Sequence, residues 1–249
     1  MAFPNDFIWG AASASYQIEG GADCDGKGPS IWDTFSHIPG KVFGDQTGDV
    51  SCDAYHRYEE DLDIMKDLGI KNYRFSISWP RVLPEGDGKI NEAGLAYYDH
   101  VVDGCLARGI EPWITLFHWD FPQALHDKGS WANPSTIDAF ARYAQIIAHH
   151  FAGRVRHFMT FNEPQCIVGM GHVSCLHAPG IRLTPRDSFR IWHNILLAHG
   201  AACIKIREEI PEAQIGVAST GRLCYVDNHD HTYLPPLVHE SFRTRQEDL

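Results

Sequence analysis

Phe158-Met159-Thr160-Phe161-Asn162-Glu163-Pro164 is an apolar, strand-like run that ends on a carboxylic acid held between an amide and a proline. A carboxylate at the end of a buried strand is costly unless its environment is used, so Glu163 reads as a tuned acid or base. Other runs of the same kind carry chemistry near their C-terminal ends. Gln17 follows Phe7-Ile8-Trp9-Gly10-Ala11-Ala12, Arg74 lies in Tyr73-Arg74-Phe75-Ser76-Ile77-Ser78-Trp79, and His118 and Trp119 end Trp113-Ile114-Thr115-Leu116-Phe117-His118-Trp119. Chemistry built on paired acids needs two carboxylates, and no second segment offers one as convincing as Glu163. Glu208, Glu209, Glu240 and Glu247 sit in helical or tail contexts, Glu19 belongs to the first motif, residues 7–20, and Glu59 and Glu60 fall on a solvated helix face.

The elements that must position these residues alternate. Residues 53–68 carry apolar side chains at helical spacing and are followed by Gly69, a residue suited to a left-handed helix end. The same order recurs in residues 95–108 with Gly109, and in residues 137–151 with Gly153; each is followed by an apolar strand. A fourth helix over about residues 187–209 stops before Pro211 and feeds Ile215-Gly216-Val217-Ala218-Ser219. With residues 7–12 as the first, five strands are separated by helices, which implies parallel pairing through right-handed crossovers. The candidate residues fall at or just after the C-terminal portions of different strands, the rim where (β/α)8 barrels place their sites. No phosphate-binding glycine pattern follows any strand, so a nucleotide-binding sheet is disfavoured and no cofactor is indicated.

Strand starts near residues 7, 73, 111, 157 and 215 are about 52 residues apart on average, so eight strands need roughly 400 residues. The 249 residues are therefore expected to hold only about the first five β/α units, residues 1–249 forming the N-terminal portion of one barrel. An open half-barrel exposes an unpaired strand edge and an apolar face, and a carboxyl-terminal half or a second copy of the chain is expected to cover them.

Composition narrows the partners. With 44% hydrophobic residues the chain can bury a large core, and its net charge of -11, without a basic run, disfavours nucleic acid. No signal-like start and no run of about 18 apolar residues is present, so no membrane association is expected and a cytoplasmic protein is the simplest reading. Seven widely spaced cysteines without a C-x-x-C pair agree with a reducing compartment. Fifteen histidines, including His229, His231 and His239, show no tight ligand spacing, so no metal site is expected.

Several motifs in this order resemble family 1 glycoside hydrolases, the β-glucosidases and their relatives. They are residues 7–20 from Phe7-Ile8-Trp9-Gly10 to Tyr16-Gln17-Ile18-Glu19-Gly20, then Tyr73-Arg74-Phe75-Ser76-Ile77-Ser78-Trp79-Pro80-Arg81, Thr160-Phe161-Asn162-Glu163-Pro164 and His177-Ala178-Pro179-Gly180. The resemblance runs from Phe3 to about Val226 and implies half of a (β/α)8 barrel with retaining β-glycosidase activity on a β-glucoside or oligosaccharide. In it Glu163 is the general acid/base, Asn162 meets the sugar's 2-hydroxyl, and Gln17 and His118 hold the nonreducing sugar. Trp119 offers the ring an apolar face. Arg74 pairs with the nucleophilic glutamate of a later Thr-Glu-Asn-Gly motif, which this sequence lacks. The alternative is a noncatalytic half-barrel that keeps part of a sugar pocket and acts by self-association or partner binding. Gly171-His172-Val173-Ser174-Cys175 departs from the family's tyrosine- and glycine-rich stretch on the leaving-group side. Which sugar is preferred, glucose, galactose, fucose or a 6-phosphosugar, is left open.

Overall fold

Apolar stripes at helical spacing and apolar runs of five to seven residues sort this chain into strands laid against helices. The computed structural model describes residues 3–221; Cys224, His229, His231, His239, Glu240 and Glu247 lie outside them. Five strands, β1 (Ala11–Ala12), β2 (Asn72–Ser76), β3 (Glu111–Phe117), β4 (His157–Asn162) and β5 (Gln214–Ala218), form one sheet in chain order, every neighbouring pair parallel. Between them run α1 (Ala54–Asp67), α2 (Glu92–Ala107), α3 (Ser135–Phe151) and α4 (Pro185–Glu209). This is the arrangement expected of the first part of a (β/α)8 barrel. Among the described residues no helix is long and apolar enough to cross a membrane.

The helix ends follow their local chemistry. Gly69 and Gly153, just beyond α1 and α3, take φ values of 74° and 79°, where a side chain would be strained. Thr184 caps α4 by accepting a hydrogen bond from the Asp187 amide at 3.2 Å, with Pro185 in the first turn where its missing N–H is not needed.

The core lies between the sheet and its helices, and α3 carries much of it: Phe140, Tyr143, Ala144, Ile147 and Phe151 are all fully buried along one stripe. Trp79 stacks on Tyr143 with ring centres 5.1 Å apart and meets Phe121 edge-on at 5.6 Å. The buried Tyr143 hydroxyl donates to the carbonyls of Ile77, just beyond β2, and of Leu116 near the end of β3, each at 3.1 Å.

The first two strands are shorter than the sequence suggests, for identifiable reasons. The first was expected over residues 7–12, yet β1 is Ala11–Ala12 and pairs only with β2 among the described residues. Phe7, Ile8 and Trp9 precede it as exposed chain, with the rings of Phe3, Phe7 and Trp9 packed tilted or edge-on against one another at 4.6–4.8 Å. Pro4 begins a turn closed by the Phe7 amide, and Asn72 ties down the Trp9 carbonyl through its side chain. β2 ends at Ser76 because Pro80, which lacks a ladder donor, opens a short helix Trp79–Val82.

Candidate active site

Arg74, His118, Trp119, Asn162 and Glu163 come to one rim because parallel strands end on the same side. Phe117 of β3 pairs in register with Phe161 of β4, so His118 and Asn162 leave the sheet at the same level. Between Met159 and Asn162 the pairing with β5 shifts, an irregularity that turns the end of β4. Asn162 there is buried, and its amide oxygen accepts from Arg74 Nη2 at 2.6 Å while its backbone carbonyl accepts from Trp119 Nε1 at 3.0 Å. Arg74 Nε donates to Thr115 Oγ1 at 2.8 Å. Among the described residues no carboxylate lies within ion-pair distance of this guanidinium. Its half-buried charge is disfavoured by lost hydration, which lowers its pKa, and Glu163 opposes that effect through its negative charge.

Glu163 and Trp119 hold backbone conformations that side chains rarely adopt. Glu163 has φ 43° and ψ 61°, and Trp119 has φ 77°. For Glu163 the strain is compounded, since a residue preceding proline prefers an extended backbone. Its amide donates to the Ala218 carbonyl at 2.6 Å and its carbonyl accepts from the Cys166 amide at 2.8 Å, opening the short helix Pro164–Val168. Strain of this kind costs about 1–3 kcal/mol per residue and gathers where a side chain must be aimed. Cys166 Sγ lies 3.7 Å from Glu163 Oε2.

Beside this cluster opens a cleft of about 420 Å³. Gln17, His118 and Trp119 line it together, with Tyr16, Trp32 and His177. Gln17 is carried by a short turn, Ser15–Ile18, just beyond β1. Arg74, Asn162 and Glu163 do not line the cleft; Trp119 joins the two groups through its bond to Asn162. The sequence reading missed Trp32 and His177 as wall residues. Their rings are 5.3 Å apart, and His177 is 5.1 Å from Trp119. His177 had a signal, the motif it opens; Trp32 had none beyond being aromatic. Burial, with a smaller push from Arg74, lowers the His118 pKa from 6.5 to about 4, so at neutral pH this imidazole is an uncharged hydrogen-bonding group. His118 Nδ1 is buried without a partner among the described residues, which leaves it available to a ligand hydroxyl.

Asp120, a buried acid that sequence reading did not single out, lies immediately after Trp119. It is 1% exposed and accepts from Ser15 Oγ at 2.7 Å. Burial raises its pKa from 3.8 to about 6, against the pull of the Ser15 and Ser78 hydroxyls and with a push from Glu19. The folded state thus holds this proton more tightly than the unfolded state, and the stabilisation, complete below pH ~4, is lost as pH rises through about 6. His118 has the opposite sign: its stabilisation is present above pH ~6.5 and is lost as pH falls through about 4. Asp120→Asn is therefore expected to exceed the wild-type stability at pH 7 by up to ~3 kcal/mol, with the advantage vanishing near pH 4. Urea unfolding at the two pH values checks this, and an equal difference at both would refute it.

Glu19 is also buried. Its carboxylate meets Arg81 Nε at 3.1 Å and the Tyr98 hydroxyl at 2.7 Å, and Arg81 donates on to the Gly20 carbonyl at 3.0 Å. The Arg81 guanidinium lies 4.3 Å from the Tyr55 ring centre. This pair fixes the loop after β1 to the end of β2 and stays out of the cleft.

Comparison with known proteins converges on one family. The model of Glycosyl hydrolase family 1 matches residues 1–231. Beta-glucosidase A of Acetivibrio thermocellus is 53% identical over 218 residues, 88% of this chain and 48% of that protein. Aryl-phospho-beta-D-glucosidase BglC of Bacillus subtilis is 45% identical over 216 residues, 86% of this chain and 45% of that protein. Among solved structures, the beta-glucosidase from Thermotoga maritima in complex with deoxynojirimycin is similar with a TM-score of 0.88 and 45% sequence identity, over 96% of this chain and 54% of that one. The chain spans about half the length of the curated relatives it matches. The five-stranded parallel sheet is accordingly a partial barrel of the (β/α)8 type, and the chain belongs to glycosyl hydrolase family 1.

Proposed function

We propose that residues 1–249 are the N-terminal portion of a single catalytic barrel, contributing the acid/base side of a retaining β-glycosidase acting on terminal nonreducing residues of β-glucosides or oligosaccharides. The observation that carries this is Arg74. A half-buried cation bonded to Asn162 beside Glu163, with no carboxylate in reach among the described residues, calls for an anion from outside them. A nucleophilic carboxylate in that place attacks the anomeric carbon while Glu163 gives its proton to the leaving oxygen, and the glycosidic C–O bond breaks to form a glycosyl-enzyme ester. Glu163, now ionised, takes a proton from water, whose oxygen displaces the ester and restores the β configuration.

Gln17 and the uncharged His118 hold the hydroxyls of the nonreducing sugar, Trp119 carries its C–H face, and Asn162 bonds the 2-hydroxyl. Several exposed apolar side chains lie on the last elements of the series. Phe189, Leu196, Leu197 and Ile204 form a stripe on α4 that is 47–66% exposed, and Val217 of β5 is 39% exposed. A carboxyl-terminal half that completes the barrel would cover this stripe and supply the nucleophile, and the cysteine pattern suits its assembly in the cytoplasm.

The test is hydrolysis of an aryl β-D-glucoside by the chain alone and mixed with a carboxyl-terminal half of its family's barrel. Turnover with retained β configuration is expected only from the mixture. An inactive homodimer of the chain, with no gain on mixing, would instead support the noncatalytic reading.

A further inference from the structure

We propose that Asp120, acting through Ser15 and Ser76, is the positioning residue that fixes the Gln17 wall of the cleft against the His118 and Trp119 wall. The contact joins segments 105 residues apart, and every member is buried. Ser76 Oγ donates to Ser15 Oγ at 2.9 Å, Ser15 Oγ donates to Asp120 Oδ2 at 2.7 Å, and the Ser15 amide donates back to Ser76 Oγ at 2.7 Å. Each hydroxyl thus has one direction open to it, so the three side chains lock each other. On one side, Ser15 starts the turn that carries Tyr16 and Gln17, whose Gln17 amide bonds the Ala14 carbonyl at 3.0 Å. On the other, Asp120 follows Trp119, whose left-handed backbone is closed by the Phe121 amide donating to the Trp119 carbonyl at 2.9 Å. A turn of four residues and a strained residue have little means of holding their own geometry. The buried acid between them supplies it, at the expense of an oxygen, Oδ1, that lacks a partner of hydrogen-bonding geometry among the described residues although the Ser78 hydroxyl is close enough to favour its charge. A polar group retained so deep without full satisfaction points to a role in geometry, since an apolar residue would pack there at lower cost.

The consequence for a sugar rests on the cleft reading above; the positioning itself does not. Amide hydrogen exchange on the whole chain tests the positioning. Asp120→Ala is expected to speed exchange at the Gln17, Ile18 and Glu19 amides, across the cleft from the change, by tenfold or more. Ser15→Ala is expected to do the same at the Phe121 amide on the opposite wall. Asp120→Asn, which still accepts from Ser15, is expected to stay within about twofold of wild type at both. If Asp120→Ala fails to fold, Ser15→Ala decides alone. Cross-cleft exchange that is unchanged in a folded variant overturns the proposal. The sugar reading is separated by kcat/KM on an aryl glucoside in the assembled enzyme. There the loss from Gln17→Ala is expected to shrink at least fivefold in an Asp120→Ala background, because Gln17 is already displaced. No effect of Gln17→Ala in the wild-type background would reject the cleft as the sugar site while leaving the exchange result to decide on Asp120.

Discussion

Replacing the proposed acid/base with its isostere, Glu163→Gln, is expected to lower kcat/KM for an alkyl β-glucoside in the assembled enzyme by about 10²–10⁴-fold. An activated aryl glucoside, such as a dinitrophenyl glucoside, should lose far less, because its leaving group departs with little protonation. The split between the two substrates is the informative quantity. Loss of folding or of sugar binding would depress both alike, and equal losses would argue against the acid role. The unusual backbone at Glu163 adds a second expectation. A side chain aimed by a left-handed residue before a proline is held by the Ala218 and Cys166 bonds as much as by itself, so the Gln variant should keep the local conformation. Steady-state kinetics on the two substrates, with circular dichroism as a folding control, settle the matter.

The second large effect concerns stability. Glu19→Ala leaves Arg81, with no exposed surface, as an unpaired buried charge and leaves the Tyr98 hydroxyl without its acceptor. A loss of about 3–5 kcal/mol is expected, a large share of the total stability of a typical domain. Burial drives the Glu19 pKa up against the attraction of Arg81 and Tyr98. Arg81, which burial disfavours, is nonetheless held above its ordinary range by Glu19. The two charges thus depend on each other, and removing both should cost less than the sum of the single changes. Urea unfolding of the two single variants and the double variant measures this. A loss below about 1 kcal/mol for Glu19→Ala would show that water reaches the pair and that it behaves as a surface bridge.

How far the sequence was legible depends on what each residue depends on. The four long helices and the core of β2 to β5 were visible because their signals are local: an apolar stripe with a glycine after it, or an apolar run before a charged or amide residue. The rim was visible because parallel strands must end together, so Arg74, His118, Asn162 and Glu163 could be placed on one side without knowing a single distance. The first strand was misjudged because Phe7, Ile8 and Trp9 are apolar in a segment where apolarity does not mean pairing; the Phe7 and Trp9 rings pack, tilted or edge-on, against Phe3 and each other instead. Glu19 was set aside as part of the first motif and Asp120 was not singled out, because nothing local marks either acid as buried. Their burial depends on Arg81, Tyr98 and Ser15, which are 62, 79 and 105 residues away from them. The division of the rim into a cleft lined by Gln17, His118 and Trp119 and a separate cluster around Arg74 and Asn162 also had no local trace. It follows from the bonds that Asn162 accepts at its side-chain oxygen and its backbone carbonyl, and from the register shift near the end of β4.

The central claim is that Glu163 is one of two carboxylates in a retaining pair, the other arriving with the rest of the barrel. The most direct measurement is the distance between the Glu163 carboxyl group and the nearest facing carboxylate in a crystal structure of the chain assembled with a carboxyl-terminal half. A separation of about 5–5.5 Å, with the second carboxylate also within reach of Arg74, is the expected result. A separation of about 6.5 Å or more would indicate inverting chemistry, and a completed barrel with no carboxylate facing Glu163 would contradict the claim outright.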